Sequence, residues 1–232
     1  MNREHVVITG ASGNLGKATV KKFLDNGYRV SAIISHRNEP SFMISPALKV
    51  YRADLFNEEE TGKVISRIIE DSGQVSLGIL IAGGFTPGNI RATGSAIIRN
   101  MLDLNFFSAY HAARPLFRHM EGDGGMLVFI GARPALDARQ GTSMLAYTLA
   151  KSLLLRLSEI INEDGKEKNI KAAVVIPGII DTPRNRKDMP DADFSKWVTP
   201  ERVADNIAWL VTPAGKESGQ IIIEVYGGDG IL

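Results

Sequence analysis

Val6-Val7-Ile8-Thr9-Gly10-Ala11-Ser12-Gly13-Asn14-Leu15-Gly16 is the stretch on which the fold turns. Val6 to Ile8 is a short apolar run, largely β-branched, the pattern of a strand buried on both faces. Glycines follow at positions 10, 13 and 16. Lys17 to Asn26 then reads as a helix, with Ala18, Val20, Phe23 and Leu24 as its apolar residues and Gly27 as its stop. Strand, glycine turn and helix start are the parts of a dinucleotide site. Glycines let the backbone turn tightly and approach a pyrophosphate, and the helix N-terminus offers free N–H groups and the positive end of its dipole. Gly10, Ser12, Gly13, Asn14, Leu15 and Gly16 are therefore candidate cofactor contacts. The plain alternative is a glycine turn with no ligand; correct context on both sides favours the site.

Outward from this unit the chain keeps alternating. Tyr28 to Ser35, Leu48 to Arg52, Leu77 to Ile81, Gly125 to Ile130, Ile170 to Ile176 and Gly219 to Val225 read as strands. Glu58 to Asp71, Gly94 to Met120, residues 144–164 and Pro200 to Val211 read as helices. Regular β/α alternation without linker, repeat or low-complexity tract predicts one domain over residues 1–232. Its expected class is α/β, a single-domain Rossmann-like doubly wound parallel sheet of about seven strands flanked by helices.

In such folds the end of the second strand meets the adenosine ribose, where an acid selects NAD and a basic neighbourhood accepts the 2′-phosphate of NADP. The expected acid position holds Ile34, followed by Ser35, His36 and Arg37, and no carboxylate appears before Glu39. Arg37 can pair with phosphate. NADP is the expected cofactor, with NAD as the alternative; Arg37 as a solvated loop residue is the competing reading.

Tyr147-Thr148-Leu149-Ala150-Lys151 places a phenol and an amine four residues apart, on one face of a helix. A phenol titrates near pH 10 in water, and bringing it close to neutrality takes roughly three pKa units, or ~4 kcal/mol of differential stabilisation. An ammonium one turn away, a buried cleft and a cationic cofactor ring together would supply it. Alone, a tyrosine four residues before a lysine is a frequent chance match, with Tyr147 packing and Lys151 solvated.

Taken together, the Thr-Gly-x-x-Gly-x-x-Gly turn at 9–16 and the Tyr147/Lys151 pair resemble the short-chain dehydrogenase/reductase family over nearly the whole chain. That resemblance implies an NAD(P)H-dependent oxidoreductase in which Tyr147 donates the proton and Lys151 tunes it and holds the nicotinamide ribose. It also implies that Asn105, in Asp103-Leu104-Asn105-Phe106, supports a proton relay. Cofactor contacts implied at matching positions are Asp54 and Leu55 after the third strand, Ala82-Gly83-Gly84 after the fourth, and Pro177, Gly178, Ile180 and Thr182 after the sixth. Helix capping is the competing role for Asp54.

The chain also departs from the family. Asn14 stands where Gly or Ala is usual, and Ile81 replaces an asparagine. Positions 131–139 hold no Ser or Thr, although the family places there a serine that donates to the substrate carbonyl. Losing such a donor costs roughly 2.7–4 kcal/mol where the chemistry needs it. Gly131 to Asp137 and Asp181 to Phe194 resemble the dihydropteridine reductases, a divergent branch that lacks this serine and reduces a ring system. Three readings follow: hydride transfer to a small carbonyl or electron-poor ring, dihydropteridine reduction proper, or a nucleotide-binding sensor or scaffold without chemistry. Arg184 to Trp197 is expected to be a substrate loop.

Composition narrows the partners. The 232 residues carry a net charge of +1, with 23% charged residues scattered along the chain and no basic block of the kind nucleic acid recruits. There is no cysteine, which excludes disulfides and thiol catalysis. The four histidines show no metal-ligand spacing, and no metal is expected. The chain enters its first strand without a signal-peptide core, and no run is long enough to span a bilayer, so a cytoplasmic protein without membrane contact is expected. A small-molecule substrate is the expected partner. The family resemblance adds a homodimer or homotetramer built on the helices at 94–120 and 144–164.

Overall fold

The computed structural model describes residues 4–39 and 42–228. Seven parallel strands form one sheet in the order β3-β2-β1-β4-β5-β6-β7. They are β1 (His5–Thr9), β2 (Arg29–Ile34), β3 (Leu48–Arg52), β4 (Leu77–Leu80), β5 (Gly125–Ile130), β6 (Ile170–Pro177) and β7 (Ile222–Val225). The helices are α1 (Asn14–Asp25), α2 (Glu58–Ser72), α3 (Ser95–Leu102), α4 (Ser108–Met120), α5 (Ala138–Gly141), α6 (Leu145–Asp164), α7 (Pro183–Asp188), α8 (Pro200–Leu210) and α9 (Pro213–Glu217). The sequence-derived class, a doubly wound α/β domain, is the architecture observed.

Alternation along β1 explains the two layers. Val6 and Ile8 face the cluster filled by Leu15, Val20 and Phe23 of α1 and Val203 and Ile207 of α8. Val7 faces the opposite cluster, where Ile65 and Ile68 of α2, Leu116 of α4 and Leu154 of α6 pack. Because both faces are covered, the inner strands β1, β4, β5 and β6 are buried along nearly their whole length, while the edge strands β3 and β7 are partly exposed. The strand order reverses between β1 and β4, which opens a crevice at their C-terminal ends, the general ligand position in such sheets.

Several boundaries differ from those read in the sequence. Helix α1 begins at Asn14, inside the glycine turn, rather than at Lys17. The expected long helix at 94–120 is broken by a π-helical turn over Asp103–Phe107. The segment 184–197 is not all loop: α7 occupies its start and a 3₁₀ turn spans Phe194–Lys196. The last strand starts at Ile222, three residues later than expected.

Candidate active site

The glycine turn is shaped by two close approaches. Gly10 adopts φ +63°, and a Cβ there would lie 2.7 Å from the Ala82 nitrogen. A Cβ at Gly16 would lie 2.2 Å from the Gly10 carbonyl oxygen, so no larger residue fits. Gly13 precedes α1 with no side-chain cap, which leaves first-turn N–H groups free for an anion. Thr9 ties this turn to the crevice: its Oγ1 accepts from the N–H of Ile81 at 3.1 Å and of Ala82 at 3.4 Å. These residues fit a dinucleotide.

The end of β2 separates core from surface at one residue. Ile34 is buried in the core, and Ser35, His36 and Arg37 are exposed. Asn38 Nδ2 donates to Ser12 Oγ at 2.7 Å, closing the loop onto the glycine turn. Arg52, to which the sequence reading gave no role, donates to the carbonyls of Ser35, His36 and Asn38 at 3.4, 3.1 and 2.6 Å. Its guanidinium holds the loop's shape, while Arg37 forms no ion pair among the described residues. His36 instead pairs with Glu60 at 2.5 Å. Asp54 accepts from the Phe56 N–H, and Leu55 offers its carbonyl to His111 Nδ1 at 2.9 Å. The cap of α2 is Asn57, so capping by Asp54 is overturned.

The third cluster lies where α6 crosses the end of β5. Lys151 is 4% exposed, and its Nζ donates to the Ile130 carbonyl at 2.8 Å. That bond uses one of three donors. Burial lowers its pKa to about 8. Asn105, 1% exposed, is held by the π turn; its Nδ2 donates to Met101 and Gly84 carbonyls at 3.1 and 3.0 Å. Its Oδ1 accepts from the Gly84 N–H at 3.2 Å. A Cβ at Gly83 would lie 2.7 Å from Asn105 Oδ1 and 3.4 Å from Lys151 Nζ, so Gly83 separates the two by bare backbone.

Tyr147 is half-buried on α6, with Phe85 edge-on to its ring at 5.2 Å. Lys151 Nζ lies 5.7 Å from the centre of that ring. Burial pushes the phenol up to about 12, the reverse of the acidification read from the sequence. The physical reason is desolvation of both groups: the ammonium sits beside the ring, where it does not offset the cost of a buried phenolate.

Pro177, Gly178 and Ile180 follow β6, with the Gly178 N–H donating to the Val225 carbonyl at 2.8 Å. Thr182 Oγ1 accepts from the Asn185 N–H at 3.1 Å and so caps α7. Beyond it, Arg186 pairs with Asp181 at 2.6 and 2.7 Å and stacks on Phe194, which packs on Trp197. The segment 131–139, where the family serine is expected, carries no hydroxyl, and Ala132 within it is buried. Among the described residues, no cluster of three or more His, Cys, Asp or Glu is placed to hold a metal ion, and no helix is long and apolar enough to cross a membrane.

A glycine cradle at the β1 turn, a switch point beside it and a Tyr/Lys pair on the next wall define an NAD(P)-dependent oxidoreductase of the Rossmann type. The short chain dehydrogenase model matches residues 4–193, and the chain belongs to that family. It is similar to the dihydropteridine reductase of Dictyostelium discoideum, 29% identical over 210 residues, covering 88% of this chain and 86% of that one. It is also similar to the cyclic-di-GMP-binding biofilm dispersal mediator protein of Escherichia coli, 26% identical over 215 residues, covering 90% and 89%. The NADPH-bound short chain oxidoreductase of Pseudomonas aeruginosa, described as containing an atypical catalytic centre, shares the fold with TM-score 0.85. That likeness has 19% identity and covers 99% of this chain and 97% of that one.

Proposed function

We propose that the protein is an NAD(P)H-dependent reductase of a small carbonyl or electron-poor ring compound, with Tyr147 as proton donor. The observation that carries this is the buried Lys151 between Ile130, Gly83 and the Tyr147 ring. A lysine buried with donors to spare is costly unless those donors have work to do. A bound nicotinamide supplies the hydride. Lys151 holds the cofactor's ribose, Asn105 supports the proton path to it, and Thr182 offers its hydroxyl proton. Tyr147 is protonated at neutral pH, the form a reduction requires, and the positive charge of a bound oxidised nicotinamide is what would offset the burial that raises its pKa.

NADPH is the preferred donor, because Ile34 leaves the acid position empty and Arg37 stands exposed beside it. Dihydropteridine reduction is the finer reading favoured by the Dictyostelium relative and by the segment 131–139 without Ser or Thr, since a ring acceptor has less need of a hydroxyl donor at an isolated carbonyl oxygen. The missing serine also supports a second reading, a nucleotide-binding sensor without turnover, to which the Escherichia coli relative adds weight.

Replacing Tyr147 by Phe is the test. Turnover of quinonoid dihydropterin, or of a reactive aldehyde, is expected to fall by roughly 10²–10⁴ with NADPH affinity unchanged. Full activity in the variant defeats the reading. Tight NADPH binding with no turnover of either substrate by the unmodified protein establishes the sensor instead.

A further inference from the structure

Arg133 lies outside every role assigned above. It follows buried Ala132 at the end of β5, opens the 3₁₀ turn Arg133–Ala135, and is exposed. Its guanidinium stacks on the Tyr226 ring at 4.1 Å, and no carboxylate pairs with it among the described residues. Tyr226 follows β7, and its hydroxyl is bonded to Glu224, which occupies that carboxylate.

Sheet order gives this contact its meaning. β5 and β7 flank β6, so an arm from one to the other crosses the C-terminal end of β6. Two strand spacings are about 10 Å, within the span of an extended arginine and a tyrosine. Beneath the arm lie Pro177 and Gly178, the latter tied to Val225 next to Tyr226. Lys151 holds the Ile130 carbonyl three residues before Arg133, so the strand end from which the arm leaves is also the one that anchors Lys151. A guanidinium stacked by its face keeps its edge N–H groups free, and a planar fork of that kind matches a carboxylate. Arg186, the other stacked arginine of this rim, is already paired with Asp181.

The geometry points to Arg133 as the residue that selects a substrate bearing a carboxylate, whether the reduced centre is a carbonyl or a ring. This deepens the reductase reading and rests on it. Beside Ala132, the anchor would fix the substrate by its acid group where the family uses a serine at the reacting oxygen.

The test reads binding rather than turnover. The protein is saturated with NADP⁺ and titrated calorimetrically with phenylglyoxylate, 3-carboxybenzaldehyde and 4-carboxybenzaldehyde, each against its neutral primary amide. At least one acid is expected to bind about tenfold or more tighter than its amide. Arg133→Ala should erase that preference and leave the amide's Kd unchanged, Arg133→Lys should retain part of it, and Tyr226→Leu should weaken it by loosening the arm. Absence of an acid preference in the unmodified protein, its survival in Arg133→Ala, or an equal loss of NADP⁺ affinity in that variant would overturn the assignment. Hydride transfer is read separately, as NADPH oxidation by the unmodified protein with the same aldehydes and keto acid; its absence would defeat the reductase reading and leave the acid preference of the NADP⁺ complex standing.

Discussion

Lys151 carries a cost that pH exposes. Burial lowers its pKa from 10.5 to about 8, so between those values the unfolded chain binds the proton and the folded protein does not. Stability therefore rises with pH across that window. Tyr147 and Tyr28, both raised to about 12, act only above pH ~10 and in the opposite sense, since the folded protein keeps their protons longer. Urea unfolding without cofactor should show a gain on the order of 2 kcal/mol between about pH 7.5 and about pH 9.5. In Lys151→Met that gain should vanish; a gain of equal size in the variant would assign it elsewhere. At the end of β2, Arg37→Ala should weaken NADPH binding about tenfold and leave NADH within twofold, as fluorescence titration would report, in keeping with a charge-assisted phosphate contact. The sequence made Tyr147 and Lys151 visible because their spacing is a helical period. It did not reveal the direction of the Tyr147 shift, because desolvation depends on what packs around the ring.

Among the elements, the break in the 94–120 segment matters most. Asn105 donates to the Met101 carbonyl one turn back, and the backbone there opens into a π turn. A side chain entering the helical ladder is a recognised cause of such a break, and nothing in the apolar periodicity of 94–120 signals it. The helix in the substrate segment escaped for a different reason. Pro183 follows Thr182, a start signal, but α7 is only six residues long and is charged on most sides, so no apolar face marks it. Thr182 then has two tasks: its oxygen accepts the Asn185 N–H, and its own proton remains to donate. Thr182→Val should lose both, costing about 1 kcal/mol at the cap and weakening cofactor binding. Thr182→Ser should keep both. Equal cofactor affinity in the two variants, measured by calorimetry, would reduce Thr182 to a cap alone.

At the scale of the whole molecule, the chain's regular β/α alternation made the doubly wound class and the count of about seven strands legible in the sequence, while the order that places the crevice at the β1/β4 reversal belongs to the structure. Which helical faces stay uncovered was not, because apolar residues on α6 exceed what one side of a sheet can bury. Leu154 and Ile161 point into the core, while Leu149, Leu153 and Ile160 remain 44%, 40% and 57% exposed. Leu149 and Leu153 are one turn apart, and Ile160 lies two further turns along the same side. Phe107, at the end of the π turn, adds an exposed ring on the neighbouring helix layer. The family resemblance implies a homodimer or homotetramer, and this stripe is where we predict the contact, with each α6 covering its twin across a two-fold axis. Leu153→Glu would place two like charges at that axis. Light scattering should then report the 25.2 kDa monomer where the unmodified protein gives twice that mass or more. Since Tyr147 and Lys151 stand on the opposite face of the same turns of α6, loss of the partner should also loosen their wall, raising KM before it lowers kcat. If Leu153→Glu leaves the mass unchanged, α6 is not the contact, and the exposed stripe must serve some other surface.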